Sequence, residues 1–374
     1  MTNRSYLETA YKLKQNPFAN LVDPNVEMAG RLKEKQQWTE IVETRKDTNA
    51  NTMCFILGDY GFGKTLTLNK IVEQYKDDPD VLPIFMKMLP EDKVTKFGVD
   101  FIQRIFRQVP QSTFESFSLN DLVALEKTYP EPAKVFRWIA LKDSRGIIDF
   151  IYGQRSFSAS EMSKLGIKRK IDRTDIAKEY LLSFLYLLKG IKKKTLLIGV
   201  DETEYVFSQM GSGASIAMVF NTLRDLYDLT TSPTMPKVPG PTANMIFFFA
   251  ISSGGFLQFQ DLGKREAAKP GPVQPLLRRI LDEQIELSPL SLDETKELIE
   301  KRLRENRSGK VEDKPLIPYD DSFVKYVHEL SGGNPSRVVR FCDAALEEGL
   351  REQIKILNED FAKKAFIAHG LLVE

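Results

Sequence analysis

The chain holds two cysteines, two histidines and two tryptophans in 374 residues, and its 53 Lys and Arg against 52 Asp and Glu leave almost no net charge. Each shortage removes a class of function. Cys54 falls in an apolar run and Cys342 in a distant helical pattern, so they read as buried thiols, not as a disulfide framework or metal site, and a reducing, intracellular setting fits. His328 and His369 belong to no Cys/His cluster, which leaves little room for zinc or histidine-based chemistry. Charge balance excludes the broad basic field of a nucleic-acid coat protein, so any DNA contact must be local. The start, Met1-Thr2-Asn3-Arg4-Ser5-Tyr6, lacks an apolar signal core, and nowhere do about eighteen apolar residues run together. Export and membrane spanning are not expected, and the localisation reads as cytoplasmic.

What is present is a phosphate-binding pattern. Gly58-Asp59-Tyr60-Gly61-Phe62-Gly63-Lys64-Thr65 has the full GxxxxGK[ST] spacing of a P-loop. It follows the strand-like Met53-Cys54-Phe55-Ile56-Leu57 and runs into the helical Thr65-Leu66-Thr67-Leu68-Asn69-Lys70-Ile71-Val72, the context such a loop requires. Glycines let consecutive N–H groups aim at a triphosphate, and the helix dipole adds positive potential at the same point. The segment from Gly58 to Leu66 is therefore expected to bind ATP, with Lys64 on the β/γ-phosphates and Thr65 on Mg²⁺.

Strand-like runs recur at 53–57, 81–86, 195–200, 246–252 and 284–287, with helical patterns between them, which predicts an α/β fold with a doubly wound parallel sheet. The stretch 113–194 is too long for one crossover and has helical periodicity, so it reads as a helical insertion. Gly/Pro/Ser-rich loops are expected at 208–215, 231–244 and 263–275. From 289 onward only helical patterns follow, near 292–306, 321–330, 336–350 and from about 358, with Ser291 and Glu294 forming a capping box. The expected division is an ATPase domain over 1–288 and a small all-helical lid over 289–374.

Lys194-Thr195-Leu196-Leu197-Ile198-Gly199-Val200-Asp201-Glu202 reads as a buried strand that delivers two acids to the C-terminal edge of the sheet. Asp201 is expected to orient Mg²⁺, and Glu202 to polarise the water that attacks the γ-phosphate. At the end of the next strand, Ser253, or alternatively Ser252, is placed to bind the γ-phosphate or the water; a plain turn-forming role is the competing reading. Arg278 and Arg279 precede the last strand, where an arginine serves either as a finger across a subunit boundary or as a solvated helix end.

With these motifs in place the chain resembles the AAA+ ATPases, within them the group of replication initiators and helicase loaders, over nearly its whole length. The resemblance implies that Asn16-Pro17-Phe18, followed by Ala29-Gly30-Arg31-Leu32-Lys33-Glu34, supports the adenine. It also implies that Ser331-Gly332-Gly333-Asn334-Pro335-Ser336-Arg337 is a sensor-2 motif, with Arg337 folding onto the γ-phosphate and Arg279 as the finger. More narrowly, Ile151-Tyr152-Gly153-Gln154, Leu165-Gly166-Ile167 and Val200-Asp201-Glu202-Thr203-Glu204 are similar to ATP-binding proteins of BREX-type phage-defence systems. The sequence ends at Glu374 with no room for the winged-helix domain of initiators, so autonomous duplex binding is not expected.

The leading functional expectation is a homo-oligomeric ATPase that remodels or loads partners on DNA, with a helicase or nuclease as protein partner. Its DNA surface would be the insertion, where Lys164, Lys168, Arg169, Lys170, Arg173 and Lys178 cluster, with Lys192, Lys193 and Lys194 behind them, unless these charges are simply solvated. The alternative is a slow regulatory switch working through a protein partner without direct DNA binding. A P-loop kinase for a small molecule fits less well, since Glu202 beside Asp201 and the C-terminal lid suit hydrolysis.

Overall fold

Strands β1 (Thr52–Leu57), β2 (Val81–Lys87), β3 (Thr195–Asp201) and β4 (Asn244–Ile251) carry the apolar runs, and β1, β3 and β4 are buried at every residue. A strand apolar on both sides needs cover on both sides, which helices on the two faces of a parallel sheet provide. The computed structural model describes residues 2–20, 27–88, 96–141, 146–208, 213–267, 283–309 and 315–372. In it β2, β3, β4 and β1 pair in parallel, and the short β5 (Gln284–Glu286) joins beside β1, giving the order β2-β3-β4-β1-β5. Leu57 stands opposite Ile251, Val200 opposite Phe249 and Asp201 opposite Lys87, so these strands finish at one edge of the sheet. This is the α/β fold with a parallel sheet that the strand and helix pattern predicts.

In chain order the helices are α1 (Asn3–Ala10), α2 (Leu32–Thr48), α3 (Lys64–Gln74), α4 (Phe97–Gln108), α5 (Gln111–Glu115), α6 (Leu119–Glu126), α7 (Pro130–Ala140), α8 (Ile147–Ile151), α9 (Ala159–Leu165), α10 (Thr174–Gly190), α11 (Glu204–Ser208), α12 (Gly213–Tyr227) and α13 (Ser253–Ala267). After β5 come α14 (Leu292–Glu305), α15 (Asp321–Ser331), α16 (Pro335–Glu352) and α17 (Glu359–Ala368), the four helices read from the sequence. The capping box forms as expected: Glu294 N–H donates to Ser291 Oγ at 3.3 Å, and Ser291 N–H to the Glu294 carboxylate at 2.8 Å.

The chain divides into two compact units. One comprises Gln36–Leu57 and Ile71–Ile285 and contains the sheet and the helical insertion. Its core continues from the sheet into the insertion through aromatic contacts: Phe55 stacks on Phe249 at 5.5 Å, and Phe106 meets Phe184 edge-on at 5.5 Å. Phe114 and Phe136 stack beside that pair at 6.1 Å, so α4, α5, α7 and α10 hold one another by large apolar rings. At the strands' starting edge Asn244 is fully buried, and its side chain is saturated: Thr195 Oγ1 donates to its Oδ1 at 2.7 Å, and its Nδ2 donates to the carbonyls of Arg45 and Ala50 at 2.9 and 2.8 Å.

The other unit comprises Met1–Lys35, Gly58–Lys70 and Glu286–Glu374. Its core joins Tyr6, Leu7, Tyr11, Leu13 and Phe18 to the C-terminal helices. Tyr6 and Tyr11 each donate their hydroxyl, to the carbonyls of Gln353 and Ile354, at 2.5 Å. The N-terminal segment thus packs with the last helices, a pairing at large sequence separation that no local pattern announces.

Cys54 and Cys342 are both fully buried, and burial pushes both thiols well above their ordinary value. Because the thiolate is the reactive form, native protein at pH 8 should take up no Ellman's reagent, and both thiols should react after unfolding in guanidinium. Rapid labelling of native protein would contradict this burial.

Candidate functional site

Leu57 closes β1, and the P-loop follows directly at Gly58. Gly61 and Gly63 have φ of +87° and +90°, values that side chains oppose, which is why the loop spends glycine there. A Cβ on Gly63 would meet nothing within 4 Å, whereas one on Gly61 would lie 2.6 Å from Asn334 Oδ1. Lys64 begins α3, and its ammonium donates to the carbonyls of Gly58 at 2.8 Å and Asp59 at 3.3 Å. A half-buried cation folded over its own loop at a helix N-terminus fits a polyphosphate. Thr65 is the second residue of α3, and Leu66 follows it on the same turn. Tyr60 projects almost wholly into solvent, 90% exposed.

The resemblance-derived lid motif lies in the same unit as the loop and touches it. Asn334 Nδ2 donates to the Tyr60 carbonyl at 2.9 Å, and Ser336 N–H to the Gly61 carbonyl at 3.2 Å. Asn334 Oδ1 accepts from Ser336 N–H and Arg337 N–H at 3.0 and 3.2 Å, capping α16. Arg337 sits in the first turn, exposed, with its guanidinium 6.0 Å from the centre of the Phe341 ring. Arg31 is buried at 5% exposure, pairs with Glu34 at 3.0 Å and reaches the Phe62 carbonyl at 3.4 Å. Sequence reasoning placed Arg337 correctly at a helix start and passed over Asn334 and Ser336.

Pro17 and Phe18, the adenine support implied by the resemblance, both pack inward. Phe18 is 1% exposed and packs edge-on against Tyr319 at 5.8 Å, while the Pro17 carbonyl accepts from Arg302 at 3.0 Å. Both belong to the core of the C-terminal helices, and the Phe18 ring has no open face for a base.

In the sheet unit Asp201 ends β3 at 3% exposure, and its Oδ1 accepts the N–H of Glu202 at 3.0 Å. Glu202 itself has φ of +58°, a left-handed backbone that glycine, with no Cβ, would take more easily. Two neighbours hold the turn. Thr203 Oγ1 donates to the Ala250 carbonyl at 2.6 Å, and Glu204 accepts the N–H of Ser252. The ends of β3 and β4 are thereby tied together. Ser252 Oγ accepts from Gly255 N–H at 3.1 Å and so caps α13, and Ser253 is the exposed first residue of that helix. Arg278 and Arg279 lie outside the described residues.

Among the described residues no group of three or more His, Cys, Asp or Glu gathers as a metal cage. Mg²⁺ does not require one, because it is commonly held by one or two protein oxygens, phosphates and water.

Part of the insertion's basic cluster is held by partners of its own. Arg169 forks onto Glu179 at 2.6 and 3.0 Å and reaches Glu131 at 3.3 Å; the Glu179 hydrogen bonds drive the guanidinium further toward its charged form. Arg173 pairs with Asp175 and Lys178 with Asp225, both at 2.7 Å. Lys194 pairs with Asp80 at 2.7 Å and holds that carboxyl below its usual range. Lys193 donates to the carbonyls of Asp78 and Val81 at 3.0 and 2.8 Å. Lys164, Lys168, Lys170 and Lys192 form no such pair among the described residues. The patch that looked continuous in sequence is interleaved with acids in space. No helix among the described residues is long and apolar enough to cross a membrane.

The family described as BREX system ATP-binding protein BrxC/D matches residues 140–354, more than half of the chain. No curated protein matches it. Among solved structures, Cdc6p from Pyrobaculum aerophilum is similar at 11% identity, covering 98% of this chain and 70% of its own, with a TM-score of 0.47. Drosophila ORC bound to DNA is similar at 14% identity, covering 98% and 66%, with a TM-score of 0.49. The ORC1 protein of Aeropyrum pernix, in complex with DNA, is similar at 12% identity, covering 92% and 67%, with a TM-score of 0.45. This chain therefore spans about two thirds of the length of those structures.

Proposed function

The chain belongs to the BREX system ATP-binding protein BrxC/D family, and from that premise we propose that it binds ATP with Mg²⁺ and hydrolyses it in phage defence. One observation carries the reading: the loop 58–63 turns at two left-handed glycines into α3, with the Lys64 ammonium folded over its carbonyls. Bound ATP would supply a γ-phosphoryl group that water can attack. Lys64 and the loop N–H groups would bind and orient its phosphates, and Thr65 and Asp201 are the residues that would hold Mg²⁺. Glu202 accepts the proton of the attacking water, and Ser253 or Ser252 fixes that water's position. Arg337 balances charge from the lid, and Arg279 does so from a neighbouring subunit of a homo-oligomer. We place this activity in the cytoplasm.

For the output, two readings remain in play, remodelling or loading on DNA and a switch acting through a protein partner such as a helicase or nuclease. The internal pairing of Arg169, Arg173, Lys178 and Lys194 favours the second, since a side chain already held by an acid releases few counterions from DNA. ATPase rate and particle mass with and without single- and double-stranded DNA test both. We expect turnover and an ATP-dependent rise in mass, with little stimulation by DNA at physiological salt. Several-fold DNA stimulation would restore the loading reading, and absence of ATP binding would remove the whole proposal.

A further inference from the structure

We propose that Asn334 is a positioning residue of the nucleotide site: its side chain fixes the orientation of the Tyr60–Gly61 peptide of the P-loop and ties that orientation to α16. The proposal rests on the ATP-binding reading above. The Asn334 amide divides its two ends between two tasks. Oδ1 accepts from Ser336 N–H at 3.0 Å and Arg337 N–H at 3.2 Å, which caps the helix, while Nδ2 donates to the Tyr60 carbonyl at 2.9 Å. The Ser336 N–H is shared, reaching the Gly61 carbonyl at 3.2 Å as well.

Peptide planarity converts these contacts into a statement about the phosphate cradle. In a trans peptide the C=O and N–H point in opposite directions. Turning the carbonyls of Tyr60 and Gly61 toward α16 therefore turns the N–H groups of Gly61 and Phe62 away from it. The Phe62 N–H closes a turn on the Asp59 carbonyl at 3.2 Å, which leaves the loop tight around its own interior. An anion site made of backbone N–H groups depends on their directions being set beforehand, because ordering a glycine-rich loop at the moment of binding costs affinity. The approach is also close enough to exclude a side chain: a Cβ on Gly61 would lie 2.6 Å from Asn334 Oδ1 and 2.8 Å from Ser336 Cβ. Gly61 is thus required by the helix that rests on it as well as by its own φ.

The two tasks of Asn334 can be separated chemically. Aspartate caps a helix as well as asparagine but has no donor for the Tyr60 carbonyl. Serine also caps, and its hydroxyl is too short to span to the loop. Alanine does neither. Thermal unfolding and calorimetric titration with ADP and Mg²⁺ should be run on the wild type and on Asn334→Asp, Asn334→Ser and Asn334→Ala. We expect Asn334→Asp and Asn334→Ser to stay close to the wild-type Tm, since the cap is kept and the lost bond lies on an exposed loop, and to bind ADP about five- to tenfold more weakly, because about 1 kcal/mol of loop ordering then falls on the binding step. Asn334→Ala should lose in both measurements. The wild type must bind ADP and Lys64→Ala must not; failure of that control removes the ATP-binding reading itself and is recognisable as such. If the wild type binds and both capping variants bind equally well, Asn334 is a helix cap only and the proposal is overturned. Tm and affinity falling together in all three variants overturns it too, and so does a loss confined to Asn334→Asp, which would report carboxylate repulsion.

Discussion

Lys64→Ala should lower ATP affinity by about two orders of magnitude or more, the loss expected when a charge-assisted contact to phosphate is removed along with the only cation on the loop. The fold should register little. Lys64 is half-buried, and its bonds to the Gly58 and Asp59 carbonyls join main-chain oxygens at the mouth of the loop, not in the core. Fluorescence titration with a labelled ATP, alongside a thermal melt, checks both statements. Unchanged affinity would mean that the 58–65 segment is a strand-to-helix turn of some other purpose. A collapse of Tm would mean that the ammonium is structural.

Glu202→Gln should leave ATP binding intact and slow turnover by roughly 10²- to 10⁴-fold, the usual contribution of a general base. The backbone offers a second, independent reading of the same position. At φ +58° a glutamate is held in a conformation that costs about 1–2 kcal/mol relative to an ordinary backbone, and glycine would carry no such cost. Glu202→Gly is therefore expected to match the native stability or exceed it by up to about 1 kcal/mol while abolishing hydrolysis. A chain that keeps a destabilising residue where a better-fitting one exists is keeping it for its side chain. Steady-state phosphate release and chemical denaturation measure the two halves. Normal hydrolysis by Glu202→Gln would end the assignment of Glu202 as the base.

The parts of this protein legible in its sequence are those governed by short-range rules. β1, β3 and β4 announce themselves because burial on both faces confines polar residues to the strand ends, leaving an apolar run between. The capping box of Ser291 and Glu294 and the start of α16 at Pro335 follow from chemistry within four residues. What stayed hidden depends on residues far apart in the chain. Nothing near Phe18 says that Tyr319 will cover it, so its aromatic ring looked available when it was core. Nothing near Lys178 says that Asp225 will neutralise it. The same limit applies to Asn334, whose donor faces a carbonyl at Tyr60, and carbonyls leave no mark in a sequence.

The discontinuity of the P-loop's unit has a consequence for synthesis. A chain emerges from the ribosome in one direction, and segments fold as their partners become available. The loop is made before its partners, since its unit is assembled from Met1–Lys35, Gly58–Lys70 and Glu286–Glu374. The carbonyls of Tyr60 and Gly61 wait for Asn334 and Ser336, more than 270 residues downstream. Until those helices exist, a nascent chain carries an unbraced loop that holds phosphate poorly, so the capacity to respond to ATP should arrive only after α16 has been made.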